Sequence, residues 1–307
     1  MTENQYDLMI LGTGPAGLTA AIYGQRLGMK VVVFGDTPGG NLYMIEKLMN
    51  YPGFIGGIPG TQFGVTAYRQ AQDEGAEFPM TFLEKLSHTD NRFVGIDVNA
   101  IEYLAPVAIV ASGRKPKILE VPNADKPGMH FCSICDGPLF RDKNATLAVI
   151  GGDNMAGQHS LTLARIADRV ILIHAGDRLK MEAVVHKKIE TKENIDILLN
   201  TEVVGFTGPD HINGIIVSTK KEEKQEIPID GAFTAFGWRP NIDMLEIPVE
   251  TTSEGYIKTD EKLMSSFPGL FAAGDVRDTD MWQVITACAD GARAAKYAVE
   301  YLEGIDT

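Results

Sequence analysis

Cys132 and Cys135, two residues apart in Cys132-Ser133-Ile134-Cys135-Asp136-Gly137, are the side chains of this chain best suited to covalent chemistry. Two thiols at that spacing can close a small disulfide ring that opens and re-forms. Exchange needs one sulfur as attacking thiolate and the other as leaving group, and the adjoining carboxyl of Asp136 can ferry the proton between steps. The competing chemistry is a zinc half-site. That would need a second Cys or His pair at similar spacing, and the only other cysteine, Cys288, stands alone. Plain core thiols are a further alternative, but burial does not oblige cysteines to stand at this spacing with an acid behind them. The segment therefore reads as a redox centre with Cys132, Cys135 and Asp136 as its catalytic residues. Cys288 reads as a small buried hydrophobe, and His130, just before the pair, as a structural residue.

Two strand-turn-helix units flank the pair. In the first, residues 6–11 form an apolar strand, Gly12-Thr13-Gly14-Pro15-Ala16-Gly17 makes the turn, and a helical pattern runs to about Leu27. This is a dinucleotide fingerprint in its proper setting: the first glycine permits the tight turn, the second lets backbone approach a pyrophosphate, and the third lets helix and strand pack closely. A second apolar strand, residues 30–34, follows, with Asp36 near the distance expected of a ribose-binding acid. The other unit opens with a strand over residues 145–150, turns through Gly151-Gly152-Asp153-Asn154-Met155-Ala156, and reaches its second strand at residues 169–174. Its chemistry does not repeat cleanly, because Asp153 stands where the fingerprint has its second glycine. A carboxylate within about 4 Å of a phosphate costs on the order of 4 kcal/mol at an effective dielectric near ~20.

Three more strips belong to this architecture. Ala108-Ile109-Val110-Ala111-Ser112-Gly113 is a strand ending in small residues, and Phe233-Thr234-Ala235-Phe236-Gly237 echoes it. Residues 269–275 form a strand ending in the acid Asp275, before a helix over about residues 283–302. The order predicts an α/β fold of two Rossmann-like, doubly wound, three-layer dinucleotide-binding domains, the second inserted in the first. Residues 1–113 and about 246–307 would form the outer domain and residues 114–245 the inserted one, carrying the cysteine pair, with the crossings at Ser112 to Pro116 and Gly237 to Pro240.

At 307 residues the chain suits about two domains, and 44% hydrophobic with 22% charged residues is ordinary for a globular protein. Three cysteines make no disulfide framework, no apolar run approaches the roughly 20 residues of a membrane span, and no basic region precedes the first strand. A cytoplasmic protein without membrane contact is expected. A net charge of −13 argues against nucleic acid as partner. Residues 114–245 hold 17 basic against 18 acidic residues, so the acidity belongs to the outer segments. Within the middle segment Arg178, Lys180, Lys187, Lys188 and Lys192 gather in one predicted helical stretch, a solvated face or a local positive patch.

Over essentially its whole length the chain resembles the low-molecular-weight thioredoxin reductases. The resemblance is carried by GTGPAG at residues 12–17, GGNL at 39–42, NYPG at 50–53, CSICDG at 132–137 and AAGDV at 272–276, distributed motifs in the right order. It implies a homodimeric flavoprotein with FAD in the split domain and the cysteine pair on the inserted domain. Carried over residue by residue, Gly12, Gly14, Ala16 and Gly17 would face the FAD pyrophosphate, and Thr13, Pro15, Asp36, Ala111 and Gly113 would belong to the same cofactor site. Gly40, Asn41, Leu42 and Asn50 would line the flavin side, and Gly274 and Asp275 the ribityl or phosphate region. Gln283, Val284 and Ile285 would bring a helix N-terminus to the ring. Cys135 would receive electrons, Cys132 would form the mixed disulfide with thioredoxin, and Asp136 would serve as acid and base.

The departures from the family cluster at the second nucleotide turn. NADPH-dependent members usually carry an intact glycine turn there and a His-Arg-Arg strip after the next strand. Here that strip is His174-Ala175-Gly176. Two charge-assisted phosphate contacts are worth about 1.5 to 3 kcal/mol each, so their loss weakens NADPH by roughly two to four orders of magnitude. Trp282 replaces an arginine common in the family and reads as a domain-interface anchor, and Trp238 replaces a His or Tyr. These changes agree in sign, so the chain resembles the pyridine-nucleotide-independent branch, in which ferredoxin or flavodoxin supplies electrons one at a time and FAD delivers them as a pair. The net acidity opposes an acidic donor, which the patch around Lys187 and Lys188 would have to overcome locally. Other readings are a conventional NAD(P)H-dependent thioredoxin reductase, a dithiol oxidase using oxygen, and a non-catalytic flavin-binding redox sensor. The vacated second site would also have room for another dinucleotide, such as a second FAD.

Overall fold

The computed structural model describes residues 4–304 apart from residues 46, 118, 220, 221 and 236, with only the backbone of residues 135, 222 and 223. Phe236, part of the second closing strip, and the side chain of Cys135 therefore lie outside the described residues. The chain forms two compact units, Met1–Lys115 with Arg239–Thr307, and Pro116–Trp238. The outer unit begins with β1 (Leu8–Leu11), α1 (Pro15–Arg26), β2 (Val31–Phe34), α2 (Gly60–Asp73), β3 (Leu83–Thr89), β4 (Arg92–Asp97), β5 (Glu102–Ala105) and β6 (Val107–Val110), and β7 (Arg114–Pro116) leads out of it. The inserted unit holds β8 (Met129–His130), α3 (Ser133–Asp136), β9 (Thr146–Gly151), α4 (Asn154–Leu163), β10 (Arg169–Ile173), α5 (Ala183–Glu190), β11 (Ile195–Leu198), β12 (Thr201–Thr207), β13 (Gly214–Thr219), β14 (Glu222–Pro228) and β15 (Gly231–Ala235). The chain returns through β16 (Trp238–Pro240) and finishes with β17 (Leu270–Ala272) and α6 (Val284–Leu302).

The outer unit is built on a parallel sheet in the order β17-β6-β1-β2. Its strands are continuous apolar runs because both faces are buried. Leu8, Ile10, Val31, Val33 and Ile109 pack with the alanine-rich faces of α1 and α6. Met9, Leu11, Val32, Phe34 and Val110 point the other way, onto Leu83, Leu86, Phe93 and Tyr103 of the antiparallel sheet β3-β4-β5. The inserted unit repeats the plan with a parallel sheet β11-β10-β9-β15-β8. Leu147, Val149, Val170, Leu172 and Phe233 meet residues of α4 and α5, while Ala148, Ile150, Ile171 and Ile173 meet Phe206, Ile215 and Val217 of the antiparallel sheet β12-β13-β14. Each unit thus has three layers: helices, a parallel sheet and a small antiparallel sheet.

The two units divide between Lys115 and Pro116 and again between Trp238 and Arg239. Residues 239–245 belong to the outer unit, where Asp243 pairs with both Lys115 and Arg239. The Leu86 N–H donates to the Met244 carbonyl at 2.8 Å, and Ile242, Met244 and Leu245 pack on the core around Leu86 and Phe93. The basic stretch differs from one helix. Lys187 and Lys188 lie in α5, but Arg178 and Lys180 precede it and Lys192 follows it. The segment before α5 is held by other bonds: the Lys180 N–H donates to the Gly152 carbonyl at 2.6 Å, and the Glu182 N–H to Asn154 Oδ1 at 2.7 Å. Among the described residues no helix is long and apolar enough to cross a membrane.

Candidate functional site

The first turn joins β1 to α1, and its glycines divide by the space around them. A Cβ at Gly12 would lie 2.2 Å from the Ala111 carbonyl oxygen, and one at Gly17 would lie 1.8 Å from that of Gly12, so strand and helix meet backbone to backbone there. A Cβ at Gly14 would meet nothing within 4 Å. Gly14 is the N-cap of α1, it offers no side-chain cap, Pro15 occupies the first turn, and no acidic residue stands there. The amides opening α1 therefore face the one position of the turn that has room, which suits a phosphate.

The neighbouring loops close round this turn. Thr13 Oγ1 donates to the Thr37 carbonyl at 2.8 Å, the Gly39 N–H donates to the Thr13 carbonyl at 2.9 Å, and a Cβ at Gly40 would lie 3.2 Å from the Gly14 Cα. Asp36 is exposed just past β2, Leu42 is buried, and Asn41 Nδ2 donates to the Arg114 carbonyl at 2.9 Å. Ala111 and Gly113 follow β6, and Gly274 packs against Ala16, where a Cβ would sit 2.9 Å from that methyl. Gln283 caps α6 through a reciprocal box with Thr286 and accepts from Asn50 Nδ2 at 2.8 Å, with Val284 and Ile285 in the first helical turn. The fingerprint, the Gly40 loop and the α6 cap thus belong to one unit and form a cradle around the open position beside Gly14.

Sequence reasoning missed two supports of this cradle. Arg114 reaches Asp275 Oδ2 from Nε at 3.3 Å and from Nη2 at 3.2 Å, and its guanidinium lies 4.8 Å from the Trp282 ring, which packs on Tyr256 at 5.5 Å. Burial raises the pKa of Asp275 and the Arg114 charge opposes that rise. Asp290, in α6, accepts from the Gly274 N–H at 3.1 Å and from Arg277 Nη1 at 3.2 Å. Neither partnership has a local spacing that betrays it. Cys288 is half-buried and neighbours Tyr51, whose phenol is pushed up to about 12, first by burial and then by the thiol.

The second turn joins β9 to α4 and is built differently. At Gly151 a Cβ would lie 2.0 Å from the Ala235 carbonyl oxygen, matching the tight first glycine of the other unit. Asp153, however, is the N-cap of α4 and its Oδ1 accepts from the Ala156 N–H at 3.1 Å. The carboxylate has turned back onto its own helix, where it takes a donor that a phosphate would use. The His174 imidazole lies over the same turn, since a Cβ on Gly152 would fall 2.4 Å from it and one on Gly176 2.6 Å. Its Nε2 is buried and has no hydrogen-bond partner among the described residues.

The redox segment lies in the inserted unit. Cys132 is buried and disulfide-bonded, whereas Cys288 is free. The single turn α3 starts immediately after Cys132, and the Asp136 N–H donates to the Cys132 carbonyl at 3.0 Å. Asp136 Oδ2 lies 3.0 Å from His130 Nδ1. Among the described residues no cluster of three or more His, Cys, Asp or Glu is arranged to hold a metal ion.

Comparison with known proteins agrees with this layout. Residues 6–291 match the pyridine nucleotide-disulphide oxidoreductase family. The chain is 33% identical over 306 residues to a thioredoxin reductase of Treponema pallidum, covering 98% of each chain. It is 32% identical to a 34.2 kDa protein in the rubredoxin operon of Clostridium pasteurianum, covering 98% of this chain and 99% of the other. In three dimensions it is similar to the thioredoxin reductase of Lactococcus lactis with a TM-score of 0.89 at 29% identity, covering 98% of this chain and all of the other.

Proposed function

Because the chain belongs to the pyridine nucleotide-disulphide oxidoreductase family, and within it to the low-molecular-weight thioredoxin reductases, we propose that it passes electrons from FAD through Cys132 and Cys135 to thioredoxin or a similar protein, with ferredoxin or flavodoxin rather than NADPH as donor. By family this is a thioredoxin reductase-like disulfide oxidoreductase. The observation that carries the donor reading is the contrast between the two turns. The first leaves its helix amides open beside Gly14, whereas the second has its helix capped by Asp153 and covered by His174.

In this reading Gly12 to Gly17, Asp36, Gly40, Asn41, Leu42, Asn50, Ala111, Gly113, Gly274, Asp275, Gln283, Val284 and Ile285 hold FAD. When bound there, FAD would supply one-electron uptake and two-electron delivery. Cys135 accepts the pair as the Cys132–Cys135 disulfide opens. The Cys132 thiolate then attacks one sulfur of the partner disulfide, and Asp136 protonates the sulfur that leaves; attack by Cys135 on the mixed disulfide restores the ring. Overall, two electrons and two protons convert the partner disulfide to a dithiol. A homodimer in the cytoplasm completes the proposal.

One observation favours a nucleotide donor instead: the Lys180 backbone bridges that of Asp153, so a basic residue stands in register with the second turn. NADH, which lacks the 2′-phosphate, is the form that reading requires. The test of the enzyme assignment is purification followed by thioredoxin reduction. FAD should co-purify, and Cys132→Ser should keep the flavin while losing thioredoxin reduction. A colourless, folded protein, or a Cys132→Ser variant as fast as wild type, would refute it.

A further inference from the structure

We propose that His130 is a positioning residue of the redox centre, holding the Asp136 carboxyl in place for proton exchange at the cysteine pair; this deepens the disulfide-reductase reading and rests on it. The bond itself is short, 3.0 Å between Nδ1 and Oδ2. When the carboxyl is ionised it can only accept, and Nδ1 is then the donor. The His130 side chain is 15% exposed and that of Asp136 is 37% exposed, so the pair is shielded on the imidazole side and open on the carboxyl side.

Two aromatic rings hold the imidazole in place. His130 lies in β8, in register with Phe233 of β15, and stacks on that ring at 4.9 Å and 23°. Phe140 closes the edge at 5.5 Å and 89°. These contacts are apolar, so Asp136 is where the Nδ1 hydrogen goes. Asp136 ends a single helical turn whose N–H returns to the Cys132 carbonyl, which ties its backbone to the pair but leaves its side chain to find a rotamer. The bond to His130 selects one and leaves the second oxygen for the proton that disulfide exchange requires.

A second histidine shows what a purely structural imidazole looks like here. His159 of α4 meets the same Phe233 ring, at 6.5 Å and 82°, is buried, and has no hydrogen-bond partner for Nδ1 among the described residues. Asp153, at the start of α4, acts electrostatically on His159. Of these groups on the elements around α3, His130 is the one bonded to Asp136.

The redox balance is unchanged: two electrons and two protons still open each disulfide. A donor to the carboxylate fixes its direction. Removing the donor should slow steps that use Asp136 and leave the fold intact.

The experiment uses the full, flavin-loaded protein with His130→Phe, His130→Asn, Asp136→Asn and the His130→Phe/Asp136→Asn double variant. Thioredoxin reduction should fall on the order of 10- to 100-fold in His130→Phe and recover largely in His130→Asn, which keeps a donor. The double variant should be no slower than Asp136→Asn alone, because the two residues act as one unit. Alkylation of the reduced cysteines, followed against pH, should lose the same inflection in His130→Phe and Asp136→Asn. Additive losses, or a wild-type rate in His130→Phe, would overturn the proposal. If His130→Phe does not fold, the imidazole 15N resonances decide: the Nδ1 signal of His130 should move in Asp136→Asn, and an unmoved signal would overturn it. Loss of thioredoxin reduction in the wild type itself would instead strike the enzyme reading, since the proposal concerns only differences among active variants.

Discussion

Asp153→Gly should convert the second turn into one that binds a dinucleotide phosphate. In the folded chain the Asp153 carboxylate accepts from the Ala156 N–H at 3.1 Å, so it both occupies a donor and places a negative charge at the mouth of α4. A phosphate brought to within about 4 Å of that charge pays on the order of 4 kcal/mol at an effective dielectric near ~20, about a thousandfold in affinity. Glycine at an N-cap costs the fold only about a few tenths of a kcal/mol compared with aspartate. His174 must also swing off Gly152, which costs roughly 1 kcal/mol and is offset in part because its buried Nε2 gains water. The net expectation is an NADPH affinity about 100-fold higher. Adding Ala175→Arg at an exposed site should contribute roughly another tenfold through one charge-assisted contact. Gly176→Arg is a poorer choice, because its Cβ would fall 2.6 Å from His174 Nε2. Titration calorimetry of NADPH against wild type and variants, with urea unfolding as the stability control, measures both quantities. An affinity unchanged in the folded Asp153→Gly protein would refute the claim that this carboxylate blocks the site.

Two further outcomes test the cradle and the core. Gly14→Ala should fold and lose most of its FAD, whereas Gly12→Ala should fail to fold stably, since its Cβ would meet the Ala111 carbonyl oxygen at 2.2 Å with φ at +124°; flavin content and circular dichroism of the two variants separate these results, and full flavin in Gly14→Ala would contradict the phosphate position. His159 has its pKa lowered from 6.5 to about 4 by burial. Between those values the unfolded chain binds a proton that the folded chain refuses, so stability should fall as pH drops through that window, by up to roughly 3 kcal/mol. His159→Leu should flatten the slope in urea titrations from pH 7 to pH 4.5, and an equal slope in both proteins would contradict the burial argument.

The parts legible in the sequence were those written in local spacing. The apolar runs at β1, β2, β6, β9 and β10, the glycine turns between strand and helix, and the long amphipathic α6 follow from periodicity and glycine position, because buried parallel strands must be apolar on both faces. The odd character of Asp153 was legible as well, although its direction was not: the carboxylate caps its own helix instead of facing outward. What escaped depends on distant pairs. Arg114 finds Asp275 across 161 positions, and Asp243 pairs with Lys115, 128 positions earlier. His130 lies only six positions before Asp136, but its role depends on the β8 and β15 register that lays the ring on Phe233. Register of a two-residue strand leaves no periodic mark.

The most direct test of the account is an anaerobic titration of the flavin-loaded wild-type protein, following bleaching of the oxidised flavin and then reduction of added thioredoxin. Micromolar NADPH and NADH should leave the flavin oxidised, while photoreduced ferredoxin or reduced flavodoxin should bleach it and carry electrons on to thioredoxin through Cys135 and Cys132. Rapid, stoichiometric bleaching by either pyridine nucleotide would contradict the donor assignment and place the chain with the conventional reductases.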